Sequence, residues 1–108
     1  MATIPSETIG IINKFVESVK MDNIDIFKVI LFGSYAKGSN NEHSDIDLAI
    51  ISPDFKEGYS LEYVSKLLSK AAKRKADIQT MPFSVEEYNN PIGLIEEIIN
   101  TGIELEIA

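Results

Sequence analysis

An apolar run, Val29-Ile30-Leu31-Phe32, stops at Gly33-Ser34, and ten residues later a second run opens on Asp45-Ile46-Asp47. No other feature constrains the fold as strongly. A β-branched and aromatic stretch that ends in glycine predicts a strand followed by a sharp turn. Acids at alternate positions of the next run predict a second strand whose carboxylates share one face, with Cα atoms roughly 6.5–7 Å apart. Ile46, Leu48 and Ile50 then point into the core and the acids point out. The short polar loop between the runs brings polar groups together at two strand ends.

The rest of the chain alternates in the same manner. Ile9, Ile12, Phe15, Val16 and Val19 recur at helical spacing and predict a helix over 6–20, with Pro5 and Glu7 in its first turn. Residues 25–32 read as a central, covered strand. Residues 33–44 read as a loop with one helical turn around Tyr35 to Lys37. Residues 45–51 are the second strand, ended by Ser52-Pro53. Leu61, Val64, Leu67, Leu68 and Ala71 form one stripe of a helix over 60–74. A short strand over 75–80 is closed by Met81-Pro82. Ser84 and Glu87 have capping-box spacing, with Phe83 and Tyr88 placed as a hydrophobic staple. Asn89-Asn90-Pro91 breaks that helix. Ile92, Ile95, Ile98 and Ile99 mark the next, and Gly102 ends it as a C′ glycine would. Ile103, Leu105 and Ile107 alternate with glutamates, as an edge strand or an extended tail does. The order predicts an α/β domain, a small mixed sheet flanked by helices.

Composition narrows the function classes. The 108 residues fit a single domain, 1–108, and a hydrophobic content of 44% is too high for a disordered chain. The apolar runs are too short to cross a bilayer, and the first residues show no secretory pattern, so no membrane association is expected. Cysteine is absent, which removes disulfides and thiolate metal sites and favours a cytoplasmic setting. A net charge of −7 makes nucleic acid a poor partner and a basic protein a better one. Lys70, Lys73, Arg74 and Lys75 read as the solvated end of a helix.

Asp45 and Asp47 repel each other when both are ionised, and a divalent cation removes that conflict. Oxygen-only ligands select Mg²⁺ or Mn²⁺ over zinc. An isolated acid pair is also compatible with a merely acidic strand edge. Gly33 and Ser34 favour the first alternative: the turn presents backbone N–H groups, and the hydroxyl can donate to a terminal phosphate oxygen. Asp77, in Ala76-Asp77-Ile78-Gln79, is the third acid. With its strand beside 45–51, three carboxylates can hold two Mg²⁺ ions about 3.5–4 Å apart, and Asp77 can accept the proton of an attacking hydroxyl. His43, the sole histidine, reads as a loop residue without a nucleophile to activate. Tyr35 is placed either to pack on a base or to cover the sheet edge.

Leu31-Phe32-Gly33-Ser34-Tyr35-Ala36-Lys37-Gly38, followed by Ser44-Asp45-Ile46-Asp47-Leu48-Ala49-Ile50, resembles the signature of the minimal nucleotidyltransferases of the DNA polymerase β superfamily. The resemblance implies a polymerase β-like core and a nucleotidyltransferase. It implies that Asp45, Asp47 and Asp77 bind two Mg²⁺ ions, that Gly33 and Ser34 hold the phosphates of ATP, and that Lys37 lies near them. Relatives of this size look like antitoxins paired with a helical HEPN ribonuclease toxin, to which they attach AMP on a tyrosine. A chain this short is expected to draw part of its substrate site from a second subunit, as a homo-oligomer, or from that partner. The alternatives are an antitoxin that acts by binding alone and a nucleotidyltransferase acting on a small molecule.

Overall fold

A computed structural model of the chain describes residues 4–41, 44–55, 61–72 and 78–106. The elements run α1 (Ser6–Met21), β1 (Lys28–Phe32), α2 (Ser34–Lys37), β2 (Ile46–Ile51), α3 (Leu61–Ala72), β3 (Ile78–Phe83), α4 (Val85–Asn89), α5 (Leu94–Thr101) and β4 (Ile103–Leu105). The sheet order is β3-β2-β1-β4. β1 pairs antiparallel with β2 and with β4, whereas β2 and β3 are parallel. The expected α/β architecture with a small mixed sheet is what forms.

Both faces of the sheet are covered. Val29, Leu31, Leu48 and Ile50 face α1 and α3, where Ile12, Phe15, Val19 and Leu67 are buried. Ile30, Ala49, Ile51 and Phe83 face the other way and pack under Ile95 and Ile98 of α5. The acid-bearing face of β2 is therefore not simply solvent-facing: beyond Asp47 it continues into buried Ala49 and Ile51. Burying the side chains of both faces is the main stabilising term of such a layer packing.

Several sequence expectations shift. β1 starts at Lys28, three residues later than the strand expected over 25–32, although Phe27 N–H still donates to Ile51 O at 2.7 Å. β3 continues through Met81 and Pro82 to Phe83 instead of closing there. It lies at the edge of the sheet, where a missing N–H leaves no ladder bond unmade. On α3 only part of the stripe is inward: Leu67 is buried, but Leu61 is 85% and Leu68 57% exposed. Gly102 is extended (φ −86°, ψ 177°) and not left-handed. It is required for space: a Cβ there would sit 2.6 Å from Ile30 Cγ2 and 3.0 Å from Leu31 O. The capping box forms as expected, with Ser84 N–H donating to Glu87 Oε1 at 2.9 Å and Glu87 N–H to Ser84 Oγ at 3.1 Å. Phe83 and Tyr88 of the predicted staple belong to one apolar cluster. No helix among the described residues is long and apolar enough to cross a membrane.

Candidate active site

Two neighbouring strands and the turn between them build the site. β1 ends at Phe32, whose partner across the ladder is Asp47. Gly33 follows with φ 75° and ψ −148°, a region that a side chain makes inaccessible, and opens the single turn of α2. The turn brings its backbone against the carboxylate of Asp47: a β-carbon on residue 33 would overlap Oδ2 and lie 3.2 Å from Cγ. Lys37 N–H donates to Gly33 O at 3.2 Å, and no side chain caps α2. The N–H groups of its first turn thus precede the first intrahelical bond, as helix starts require. Ser34 is the first residue of that turn. Lys37 ends it, exposed, before the left-handed Gly38.

Asp45 immediately precedes β2 and is exposed; Asp47 is half-buried within it. Burial first, and the neighbouring Asp45 charge second, push the Asp47 carboxyl above its ordinary value. Both causes penalise the ionised form, and a bound cation reverses that penalty. This donor set, two carboxylates with one resisting ionisation beside exposed backbone donors, fits a hard divalent cation carrying phosphate. Among the described residues no group of three acidic or histidine ligands converges.

Asp77 and His43 lie outside the described residues, so the third acid and the loop histidine are not placed. The chain neighbour of Asp77 is placed: Ile78 pairs with Ile46, the residue between the two acids. Next along that ladder, Gln79 is the partner of Asp47 and is exposed. This neighbour is not legible in the sequence, because a parallel register is a tertiary relationship.

Tyr35 packs against the core on the α1 side. It also lines a cavity of about 510 Å³ with Pro5, Glu7, Thr8, Ile11, Asn40, Asn41 and Ile46. Ile46 alternates with the acids, so this cavity belongs to the opposite face of β2.

Comparison with known proteins gives the family of the chain. Residues 12–101 match the nucleotidyltransferase domain family model. The chain is 34% identical over 104 residues to "Putative protein adenylyltransferase MJ0141" of Methanocaldococcus jannaschii, covering 92% of this chain and 99% of that protein. A crystal structure of a "putative nucleotidyltransferase" from Sulfolobus solfataricus superposes with a TM-score of 0.60 at 20% identity, over 75% of this chain and 70% of that one. A chain of a toxin–antitoxin structure with AMP-PNP superposes with a TM-score of 0.53 at 22% identity, over 89% and 73%. These structural likenesses concern the fold. With a domain match across most of its length and a relative similar over nearly its whole length, the chain belongs to the nucleotidyltransferase domain family and is a nucleotidyltransferase.

Proposed function

We propose that this chain, as one minimal nucleotidyltransferase domain, moves AMP from ATP to a hydroxyl of a protein and serves as the antitoxin of a toxin–antitoxin pair. The observation that carries the reading is the apposition of the Gly33 backbone and the Asp47 carboxylate at the end of two paired strands. The full-length similarity to MJ0141 supports a protein as acceptor. The likeness to a toxin–antitoxin chain solved with AMP-PNP supports ATP as donor and a toxin as partner. A HEPN-type toxin tyrosine is the acceptor in this reading.

Asp45 and Asp47, with Asp77 as the third acid, would hold Mg²⁺, two ions in all. When bound, Mg²⁺ neutralises phosphate charge and lowers the pKa of an attacking hydroxyl. Gly33 and Ser34 orient the triphosphate through backbone N–H groups and the Ser34 hydroxyl. Lys37, at the far end of the same turn, adds positive charge near the phosphates. Asp77 takes the proton of the acceptor hydroxyl as its oxygen attacks the α-phosphorus. The bond from that phosphorus to the bridging oxygen breaks, and pyrophosphate leaves in line.

The test is transfer of labelled AMP to a purified HEPN-type toxin by wild type and by Asp45→Asn/Asp47→Asn. The double variant should transfer nothing and bind little Mg·ATP. Undiminished transfer would rule the mechanism out. Toxin neutralisation by the double variant, with no AMP on the toxin, would instead favour an antitoxin that works by contact alone.

A further inference from the structure

The acidic surplus of the chain is not evenly spread. The whole sequence has 17 acids and 10 bases, yet residues 84–106 contain Glu86, Glu87, Glu96, Glu97, Glu104 and Glu106 and no lysine or arginine. Glu104 is held by Lys28 at 2.6 Å and accepts from Tyr88 Oη at 3.1 Å. Glu86, Glu96 and Glu97 are exposed, and among the described residues no cation pairs with them. Within this acidic surface two apolar side chains stand out of the fold at the junction of α4 and α5: Ile92 is 85% and Leu94 48% exposed. Acid around an apolar anchor is the complement of a protein surface that carries Lys or Arg around an apolar side chain. The same charge repels a polyanion or an anionic membrane.

The position of α5 connects this surface to the chemistry. Ile95 and Ile98 pack on the sheet face that carries Asp47, against Ile30, Ala49 and Ile51. Its C-terminal end meets β1 at Ile30 and Leu31, two residues and one residue before Phe32, the ladder partner of Asp47. α5 thus runs over the acid-bearing face from the side of α4, whose Tyr88 meets Phe27 ahead of β1, to the Phe32 end, and a protein lying along it spans that length. Leu61 and Leu68 on α3 are also exposed, but the cations beside them, Lys66 and Lys70, are paired with Glu62 and Asp22. Among the described residues, that patch carries no charge pattern that selects an occupant.

We propose that the outer surface of α4 and α5, with Ile92 and Leu94 at its centre, is the docking site of the protein acceptor, whose matching surface is cationic around an apolar anchor. This rests on the reading of the chain as an enzyme that modifies a protein, and it is tested apart from catalysis. The probe is a synthetic helical peptide with a leucine stripe flanked by Lys and Arg, titrated into the ¹⁵N-labelled protein without Mg²⁺ or ATP. Amide shifts should concentrate over residues 86–100. Glu96→Gln/Glu97→Gln/Ile92→Ser should weaken binding about tenfold or more. Leu61→Ser and Asp45→Asn/Asp47→Asn should bind as the wild type does. No binding, shifts centred on α3, equal binding of a peptide with Glu in place of Lys and Arg, or full affinity in the triple variant would each overturn the proposal. Intact peptide binding by a wild type that transfers no AMP would refute the enzymatic reading instead.

Discussion

The backbone of Gly33 runs so close to Asp47 that any side chain at position 33 would occupy the space of the carboxylate. One residue thereby satisfies two demands: a positive φ that L-residues avoid, and contact between a turn and an acid on the next strand. Gly33→Ala is expected to destabilise the fold by roughly 1–3 kcal/mol through backbone strain and to displace Asp47. Thermal melting and AMP transfer should both fall. A Gly33→Ala protein with wild-type activity would show that the close approach is not needed.

The charge of Asp47 sets a pH dependence. Its folded pKa lies above the ordinary 3.8, from burial and then from Asp45, so the native state disfavours the ionised form. The stabilising effect of proton uptake is complete below the unfolded value and is lost as pH rises through the raised folded value. Without metal, Asp47→Asn should therefore melt above the wild type at neutral pH, with the gap narrowing in acid. Mg²⁺ should raise the melting temperature of the wild type more than that of the variant. A gap that widens in acid would contradict this assignment.

Removing one partner of the Ser84–Glu87 capping box tests whether α4 depends on it. Ser84→Ala should cost about 1 kcal/mol, by chemical denaturation. Adding Glu87→Ala should cost less than the sum of the two single changes, because the box is reciprocal.

Gly102 makes a different prediction from Gly33. Its φ of −86° suits any residue, but the Ile98 carbonyl and Ile30 leave no room for a methyl. Gly102→Ala should lower stability by about 1–3 kcal/mol through overpacking. Combining it with Ile30→Ala, which removes the opposing Cγ2, should cost less than the sum of the two single changes.

Much of this architecture could be read from the order of residues. Helical spacing gave α1, the polar loop with its single turn gave α2, and Ser84-x-x-Glu87 gave the start of α4, because each rests on contacts within a few positions. The expectation for β3 ended too soon, at Thr80 ahead of Met81-Pro82, since an edge position, which makes proline harmless there, is set by the other strands. The α3 stripe was drawn too wide for a similar reason: the sequence shows that Leu61 and Leu68 are apolar, not whether anything lies over them.

At the site, the sequence by itself determined which groups are at hand: a glycine-serine pair, acids at alternate positions and a further acid, Asp77, just ahead of Ile78 in the chain, in an order that suits metal-bound phosphate. Only the tertiary structure decided the distances. The antiparallel register sets Phe32 across from Asp47, and the turn at Gly33 then closes onto that carboxylate. The parallel register sets Ile78, next to Asp77, across from Ile46. Local residue order fixes which groups a chain carries and which way they alternate. Their convergence depends on ladder pairings between segments far apart in sequence, and those are fixed by burying both faces of the sheet at once.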